Sequence, residues 1–327
     1  MFHEIVRICR TLERKFKDPA NNEMSITMML WYYWLKQIQA LSWKKVLIEV
    51  PFPIENSSEP PGRIAVIVHC YYLDLLDELI DHIIRIPYPY RLLVSTDTPE
   101  KQSAIEEKLE ARKVAHFEVR RAENRGRDIA PKYITFRDVY AECDYFLHLH
   151  GKKSPHRLDG AGDLWRKYLL HSLLGSPEII ASVVALLKDP RIGLVFPDPY
   201  EPDLPQLRWA ANYEVSVALA NRLGIKIAKD NCPLYPAGSM FWAKSSVVRP
   251  LLDLNLQFED FPPESGRVDG ELSHAMERMI APVALAQGLH GQRIITAKLQ
   301  RPRKTIQVQS AAQVPEAITE CLRNEGG

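Results

Sequence analysis

RIAVIVHCYYLDLLDELIDHIIRIPYPYRLLVSTD, residues 63–97, decides how the rest of the chain is read. RIAVIVH (63–69) is a short apolar, β-branched run, LDLLDELIDHIIRI (73–86) repeats with helical period, and RLLVST (91–96) is apolar again. Strand, helix, strand at this spacing is a βαβ unit, and strands that are apolar almost throughout belong to a parallel sheet covered on both faces. The pattern continues with a helix over 99–113, a strand AHFEVR (115–120), a helix IAPKYITFRDVYAE (129–142) and a strand YFLHLH (145–150). The expected fold class is therefore α/β, with a mostly parallel, Rossmann-type sheet flanked by helices.

The flanking regions are less regular. Residues 1–50 read as two helices, and PFPIENSSEPPG (51–62) as a Pro- and Ser-rich linker, so an N-terminal helical extension with linker is expected over 1–62. The segment 25–45 holds Trp31, Tyr32, Tyr33 and Trp34 followed by Lys36, Lys44 and Lys45; it suits either an interfacial membrane helix or one packed on the main domain. Beyond 150 the pattern predicts helices over 163–174, 176–187, 212–223 and 269–287, strands at IGLVFP (192–197) and RIITAKL (293–299), and a peripheral tail over 301–327. AGSMFWAK (237–244) reads as a core strand.

Composition narrows the function. Of 327 residues, 46% are apolar and 25% charged, which is globular rather than disordered. Lys plus Arg is 42 against 41 acidic residues, so the bulk charge offers no basic stripe for a nucleic acid. The five cysteines are scattered and never spaced as CxxC, which predicts reduced thiols and no zinc knuckle. The opening MFHEIVRICRTLERKFKD carries charges throughout, and a cytoplasmic protein is expected.

In an open parallel sheet, ligands bind beyond the carboxyl ends of the strands. Tyr71 and Tyr72 follow the first strand, Asp97 the second, ENRGRDIAP (123–131) the third and HLHGKKSPH (148–156) the fourth. Asn124, Arg125, Gly126, Arg127 and Asp128 place two guanidinium groups around a glycine before a helix start. That arrangement suits phosphate oxygens, or equally a solvated turn in which Asp128 caps the helix. His148 and His150 leave one face of their strand, and Lys152 and Lys153 follow a glycine turn. The lysines suit a departing diphosphate; the histidines with His156 form a weaker metal reading, without a carboxylate among them. FEDFPPESGRVDGELSHAMERM (258–279) supplies Glu259, Asp260, Glu264, Asp269, Glu271, His274 and Glu277 as candidates for acid–base work, or else Asp269 as an N-cap and Glu271, His274 and Arg278 as one solvated helix face. Trp242 and Trp209 are core residues or sugar-stacking platforms.

NRGRDIAP, LHLHGKKS with WRKYLL and LLGS, DPRIGLVFP, PAGSMFWAK and EDFPPESGRVDGELSHAMER, in that order, resemble the rhamnan synthesis protein F family between about Arg63 and Met279. The resemblance implies a GT-A-like glycosyltransferase of cell-surface polysaccharide, including lipopolysaccharide O-chains. Its nucleotide-sugar-binding half would span 63–197 and its acceptor and catalytic half 198–300. It implies Tyr71 and Asp97 near the base of the donor. His148-Leu149-His150 stands where a DxD would hold Mg or Mn on the diphosphate, so no cofactor is assigned and the cationic charge would come from Arg125, Arg127, Lys152 and Lys153. Asp269, then Glu264, is the implied acceptor base of an inverting enzyme, with Trp242 and His274 toward the acceptor. The implied partners are a nucleotide-sugar donor with dTDP-rhamnose favoured, a growing or lipid-linked polysaccharide, other polysaccharide-biosynthesis enzymes and the inner face of the membrane. A non-catalytic component of polysaccharide assembly that binds nucleotide or glycan is the alternative.

Overall fold

The structure, a computed structural model, describes residues 47–54, 61–151, 161–200, 207–232, 234–264, 269–296 and 305–323. The expected helices in 1–46, including the aromatic segment 25–45, lie outside the described residues. The strands are β1 (Leu47–Val50), β2 (Ile64–His69), β3 (Tyr90–Thr96), β4 (Phe117–Arg121), β5 (Tyr145–His150), β6 (Ile192–Pro197), β7 (Phe241–Lys244), β8 (His290–Thr296) and β9 (Thr305–Ile306). They form one nine-stranded sheet in the order β4-β3-β2-β5-β7-β6-β8-β1-β9. All pairings are parallel except those of β7, which runs against β5 and β6.

Helices cover this sheet because the connections supply them with caps and apolar stripes. Between β2 and β3 runs α1 (Leu76–Ile83), which buries Leu76, Leu79, Ile80 and Ile83 at helical spacing. Thr98 opens α2 (Pro99–Ala111) by accepting a hydrogen bond from the Lys101 amide at 3.3 Å, with Pro99 in the first turn. After α3 (Ala161–Leu174), Ser176 caps α4 (Pro177–Lys188) in the same way. The rest of the helical layer is α5 (Tyr213–Arg222), α6 (Arg249–Asp253), α7 (Leu272–Ala286) and α8 (Val314–Arg323). On one face Ala65, Ile67 and Leu93 join Met276, Met279 and Val283 of α7 in a single apolar cluster, while the alternate residues Ile64, Val66 and Val68 are buried on the other. Both faces are dry, as the continuous apolar strands require.

Three features differ from the sequence expectation. The segment 129–142 is not a regular helix: a π-helical turn over Pro131–Thr135 precedes a 3₁₀ turn at Val139–Ala141. Pro131 brings no amide hydrogen to a helical ladder, and the Tyr140 hydroxyl donates to the Lys132 carbonyl at 3.2 Å across the break. The sheet also takes a strand from the expected extension and linker, since β1 lies between β8 and β9. Finally, the tail expected to be peripheral contributes β9 and buries Val314, Ala317, Ile318 and Cys321 of α8. Burying these apolar groups recovers the usual 1.5–3 kcal/mol or so for each large side chain, which holds a short C-terminal helix in place.

The far half of the sheet is pinned by a buried ion pair. Arg293 Nη1 of β8 donates to Asp198 Oδ1 at 2.6 Å, with side chains 3% and 0% exposed, and the Asp198 amide donates to the Ile294 carbonyl at 2.8 Å. Arg293→Met removes this cation from the buried Asp198 carboxylate, and loss of about 3–5 kcal/mol is expected in urea unfolding. Arg293→Lys, which restores a charge without the planar fork, is expected to recover part of it.

Candidate functional site

The strand order turns back on itself between β2 and β5: β3 and β4 continue on one side of β2, and β5 lies on the other. A crevice opens at such a point, because the connections leave the two strands in opposite directions. Here the carboxyl ends are marked by His69 and His150, which are register partners. Against them lies a cleft of about 70 Å³. Arg127, Asp128 and Ile129 enter it from the loop after β4, His150 from β5, Gly238 and Ser239 from the turn before β7, and Ser273, His274 and Glu277 from the first turns of α7.

Backbone strain shapes two of these walls. Gly126 and Arg127 both adopt left-handed φ, +64° and +57°. A Cβ on Gly126 would stand 2.5 Å from Phe261 and 2.7 Å from Ala130, so this close approach admits only glycine. The loop is fastened to the segment before α7: Arg125 pairs with Pro263 in a β-bridge, Arg125 Nη1 donates to the Phe261 carbonyl at 3.0 Å, and the Arg127 amide donates to Glu264 Oε1 at 2.9 Å. On the opposite wall Gly238 and Ser239 are left-handed in succession, at +87° and +56°. This turn aims the Gly238 carbonyl at His150 Nε2 (2.8 Å), the Ser239 carbonyl at His148 Nδ1 (2.5 Å) and the Gly238 amide at Glu277 Oε1 (2.9 Å).

Below the cleft sits a buried cation. Lys132 is 2% exposed, and its Nζ lies 3.2 Å from His148 Nδ1 and 5.0 Å from the ring centres of Tyr133 and Phe241. Burial lowers its pKa to about 8, opposed by Asp128 and Glu277. A carbonyl only accepts, so His148 Nδ1 carries the hydrogen directed to Ser239, and Nε2 is an acceptor sealed from solvent with no partner among the described residues. Burial, then Lys132, pushes the His148 pKa far below the usual value. His69, whose Nδ1 lies 3.0 Å from Ser95 Oγ, is lowered to about 4, again chiefly by burial. Burial alone would raise the Asp128 pKa, but its electrostatic interactions with His150, His148, Lys132 and His69 hold it well below the ordinary carboxylate range. Burial keeps His69 and His148 neutral near pH 7, while Lys132 stays cationic there.

The structure brings Arg127, Asp128, His150 and His274 of the expected residues into one cleft. Tyr71 and Asp97 are joined through Lys101, whose Nζ is 2.6 Å from Asp97 Oδ1 and 4.0 Å from the Tyr71 ring centre. Asn124 is exposed on the loop, and the Arg125 guanidinium is turned to the Phe261 carbonyl instead of a ligand. Lys152, Lys153 and His156 lie outside the described residues. Trp242, considered as a platform for the acceptor, is a core residue: it is fully buried in β7 and its indole donates to the Leu173 carbonyl at 3.3 Å. Trp209 is likewise 2% exposed. Asp269 does not cap α7, whose N-cap is Glu271; it accepts from Asn212 Nδ2 and from the Ala211 amide at 3.2 Å, with Arg278 Nη2 at 3.6 Å. It thus sits at the cleft margin, where its charge acts on His274.

Lys101, Lys132, Ser239 and Ser273 were missed in the sequence, where Glu277 stood only among several carboxylates of one segment. Lys132 had a signal, because it stands four residues before Phe136 and eight before Tyr140, both buried, and so places an ammonium on an apolar stripe. Ser273 and Glu277 share a helix face at i, i+4, which brings them to the same wall as His274. Among the described residues, no group of three or more His, Cys, Asp or Glu is arranged to hold a metal ion.

Burial, followed by Arg127, lowers the His274 pKa from its ordinary 6.5 to about 4. Between those values the unfolded chain binds a proton that the folded chain refuses, so this residue's contribution to stability is complete above pH 6.5 and lost as pH falls toward 4. Urea unfolding of the wild type and His274→Gln at neutral pH and in the acid window checks this: the wild type is expected to lose on the order of 2 kcal/mol relative to the variant on acidification.

The comparisons with known proteins bear on what this cleft belongs to. The chain matches the family of rhamnan synthesis protein F over residues 25–289. It is 38% identical over 235 residues to the uncharacterized protein WxcX of two strains of Xanthomonas campestris pv. campestris, a match covering 71% of this chain. The match covers only 32% of WxcX, so the chain spans about a third of the length of these curated relatives. Among solved structures it is similar to the mannosyltransferase PcManGT from Pyrobaculum calidifontis in complex with GDP-Man and Mn²⁺, at 18% identity and a TM-score of 0.46, covering 93% of this chain and 68% of that one. A mannosyltransferase from S. cerevisiae is similar at 12% identity and a TM-score of 0.38, covering 89% of this chain and 84% of that one. The extent of the match over 25–289 decides the matter: this chain belongs to the rhamnan synthesis protein F family.

Proposed function

We propose that the protein is a glycosyltransferase of polysaccharide synthesis that takes its sugar from a nucleotide-sugar donor. The observation that carries the reading is the polar cleft at the point where the strand order reverses between β2 and β5, in a chain of this family. In this reading the nucleoside lies over Tyr71 beside Asp97 and Lys101, with the sugar directed toward the cleft. Arg127 provides positive charge met by the departing diphosphate, and the sequence offers Lys152 and Lys153 for the same task. Arg125 instead holds the loop in place through Phe261. The described residues do not form a metal-binding group, and no step here runs through one.

A carboxylate at the margin, Asp269 or Glu264, removes the proton from an acceptor hydroxyl as that oxygen attacks the anomeric carbon in line and the diphosphate leaves, giving inversion. Asn212 and the Ala211 amide fix the orientation of Asp269, and the Arg127 amide does so for Glu264. dTDP-rhamnose is the donor this reading favours, and a growing cell-surface chain, including an O-antigen, the acceptor. The same grip on Asp269 favours a second reading, a non-catalytic assembly component that binds nucleotide or glycan, because two N–H donors and the Arg278 ion pair already occupy its carboxylate.

Titration of the purified chain against dTDP, UDP and GDP is expected to show binding, tightest for dTDP, and Tyr71→Ala is expected to weaken it about tenfold through lost stacking. With dTDP-rhamnose, Asp269→Asn is expected to lower kcat by about 10²–10⁴ with the nucleotide affinity retained. Full turnover by Asp269→Asn rejects it as the base, and nucleotide binding without turnover by the wild type supports the assembly reading. An unchanged anomeric configuration in the product, read by NMR, rejects inversion.

A further inference from the structure

Four polar atoms at the cleft are sealed from solvent and have no partner among the described residues: Ser273 Oγ, both ring nitrogens of His274, and Asp128 Oδ2. All three side chains line the same space, and those of Ser273 and His274 are more than nine-tenths buried, at 2% and 7% exposure. Sealed polar groups of this kind cost about 1–3 kcal/mol each unless something in the cleft satisfies them. The turn at 238–239 and the first turns of α7 hold them in place, so they belong to a built wall.

The chemistry of the wall selects what it takes. Asp128 and Glu277 only accept when ionised, Arg127 only donates, and Ser273 and a neutral imidazole each do both. A phosphate oxygen offers only acceptors and would face two carboxylates; a hydroxyl offers a donor and lone pairs together and satisfies every member. The cleft is small, about 70 Å³, and lined mostly by polar groups, which suits the hydroxyl-bearing edge of a ring.

Resting on the transferase reading above, we infer that the cleft between Asp128 and the first turns of α7 is a subsite for the hydroxyl edge of an uncharged sugar ring, read by Ser273, His274 and Glu277. The diphosphate is held outside it. Ser273 and His274 are then specificity-determining residues: each exchanges hydrogen bonds with a ring hydroxyl, and the carboxylates of Glu277 and Asp128 accept from hydroxyls on either side.

Saturation-transfer NMR and titration on the full chain test this with methyl α-L-rhamnopyranoside, methyl α-D-mannopyranoside and methyl α-D-glucopyranoside, and separately with dTDP, UDP and GDP. At least one glycoside is expected to bind the wild type, and Ser273→Ala and His274→Ala to weaken it by about three- to tenfold. His274→Gln, which keeps one donor and one acceptor, is expected to restore most of that loss. Nucleoside diphosphate affinity is expected to stay at the wild-type value in every variant, with melting curves confirming that each is folded. Glycoside binding indifferent to both alanine variants overturns the subsite, as does a wild type that binds nucleotide but none of the glycosides. Loss of nucleotide affinity in folded Ser273→Ala also overturns it, and makes the cleft a phosphate site. A wild type that binds neither class overturns the transferase reading together with the subsite.

Discussion

The ammonium group of a lysine only 2% exposed must be met by groups inside the molecule, and much of the site follows from meeting the one on Lys132. The π-helical turn at Pro131–Thr135 carries Lys132 into the interior, where Asp128 and Glu277 oppose its loss of charge. His148 lies against it and is fixed in one tautomer by the Ser239 carbonyl, which requires the left-handed turn at 238–239. That turn presents the Gly238 amide to Glu277 of α7. A chain of short contacts thus runs from the loop after β4, through β5 and the turn before β7, to the late helix, and the cleft is the space it encloses.

Rigidity has a physical basis here. Gly126 is pressed against Phe261, the Arg127 amide is held by Glu264, and Gly238 packs on Trp165 and Leu169, where a Cβ would meet them at 2.9–3.0 Å. Walls fixed in this way present polar groups without a conformational cost at the moment of binding, which is how a small polar cleft discriminates between ligands. The arrangement also separates tasks. Arg125 looks like a ligand-facing charge in the sequence and is committed to the Phe261 carbonyl, while Asp269 stays at the cleft margin with its orientation fixed by Asn212 and the Ala211 amide.

The α/β class, the positions of β2 to β6 and most helices were legible because buried parallel strands leave apolar runs and amphipathic helices leave a period. The stretch 129–142 was not, since a helical period there is satisfied equally by the π and 3₁₀ turns that the tertiary contacts select. β1 and β9 escaped because strands of four and two residues carry too little pattern beside a proline-rich linker and a charged segment. At the site, the loop after β4 and the histidines of β5 were found from their place after strands. Lys101, Lys132 and Ser273 were missed, as their roles rest on residues distant in sequence.

What the sequence determined by itself was the alternation of strand and helix, and with it the edge of the sheet where polar residues gather, since both are local consequences of periodicity. Only the tertiary structure decided which of those residues face the cleft. It turned Trp242 into the core, engaged Arg125 in bracing, fixed the orientation of Asp269, and set His274 and Ser273 beside Asp128. The reason is physical: a side chain's chemistry is written in its residue type, but its exposure, partners and protonation depend on groups that approach from other elements, and no local pattern carries that information.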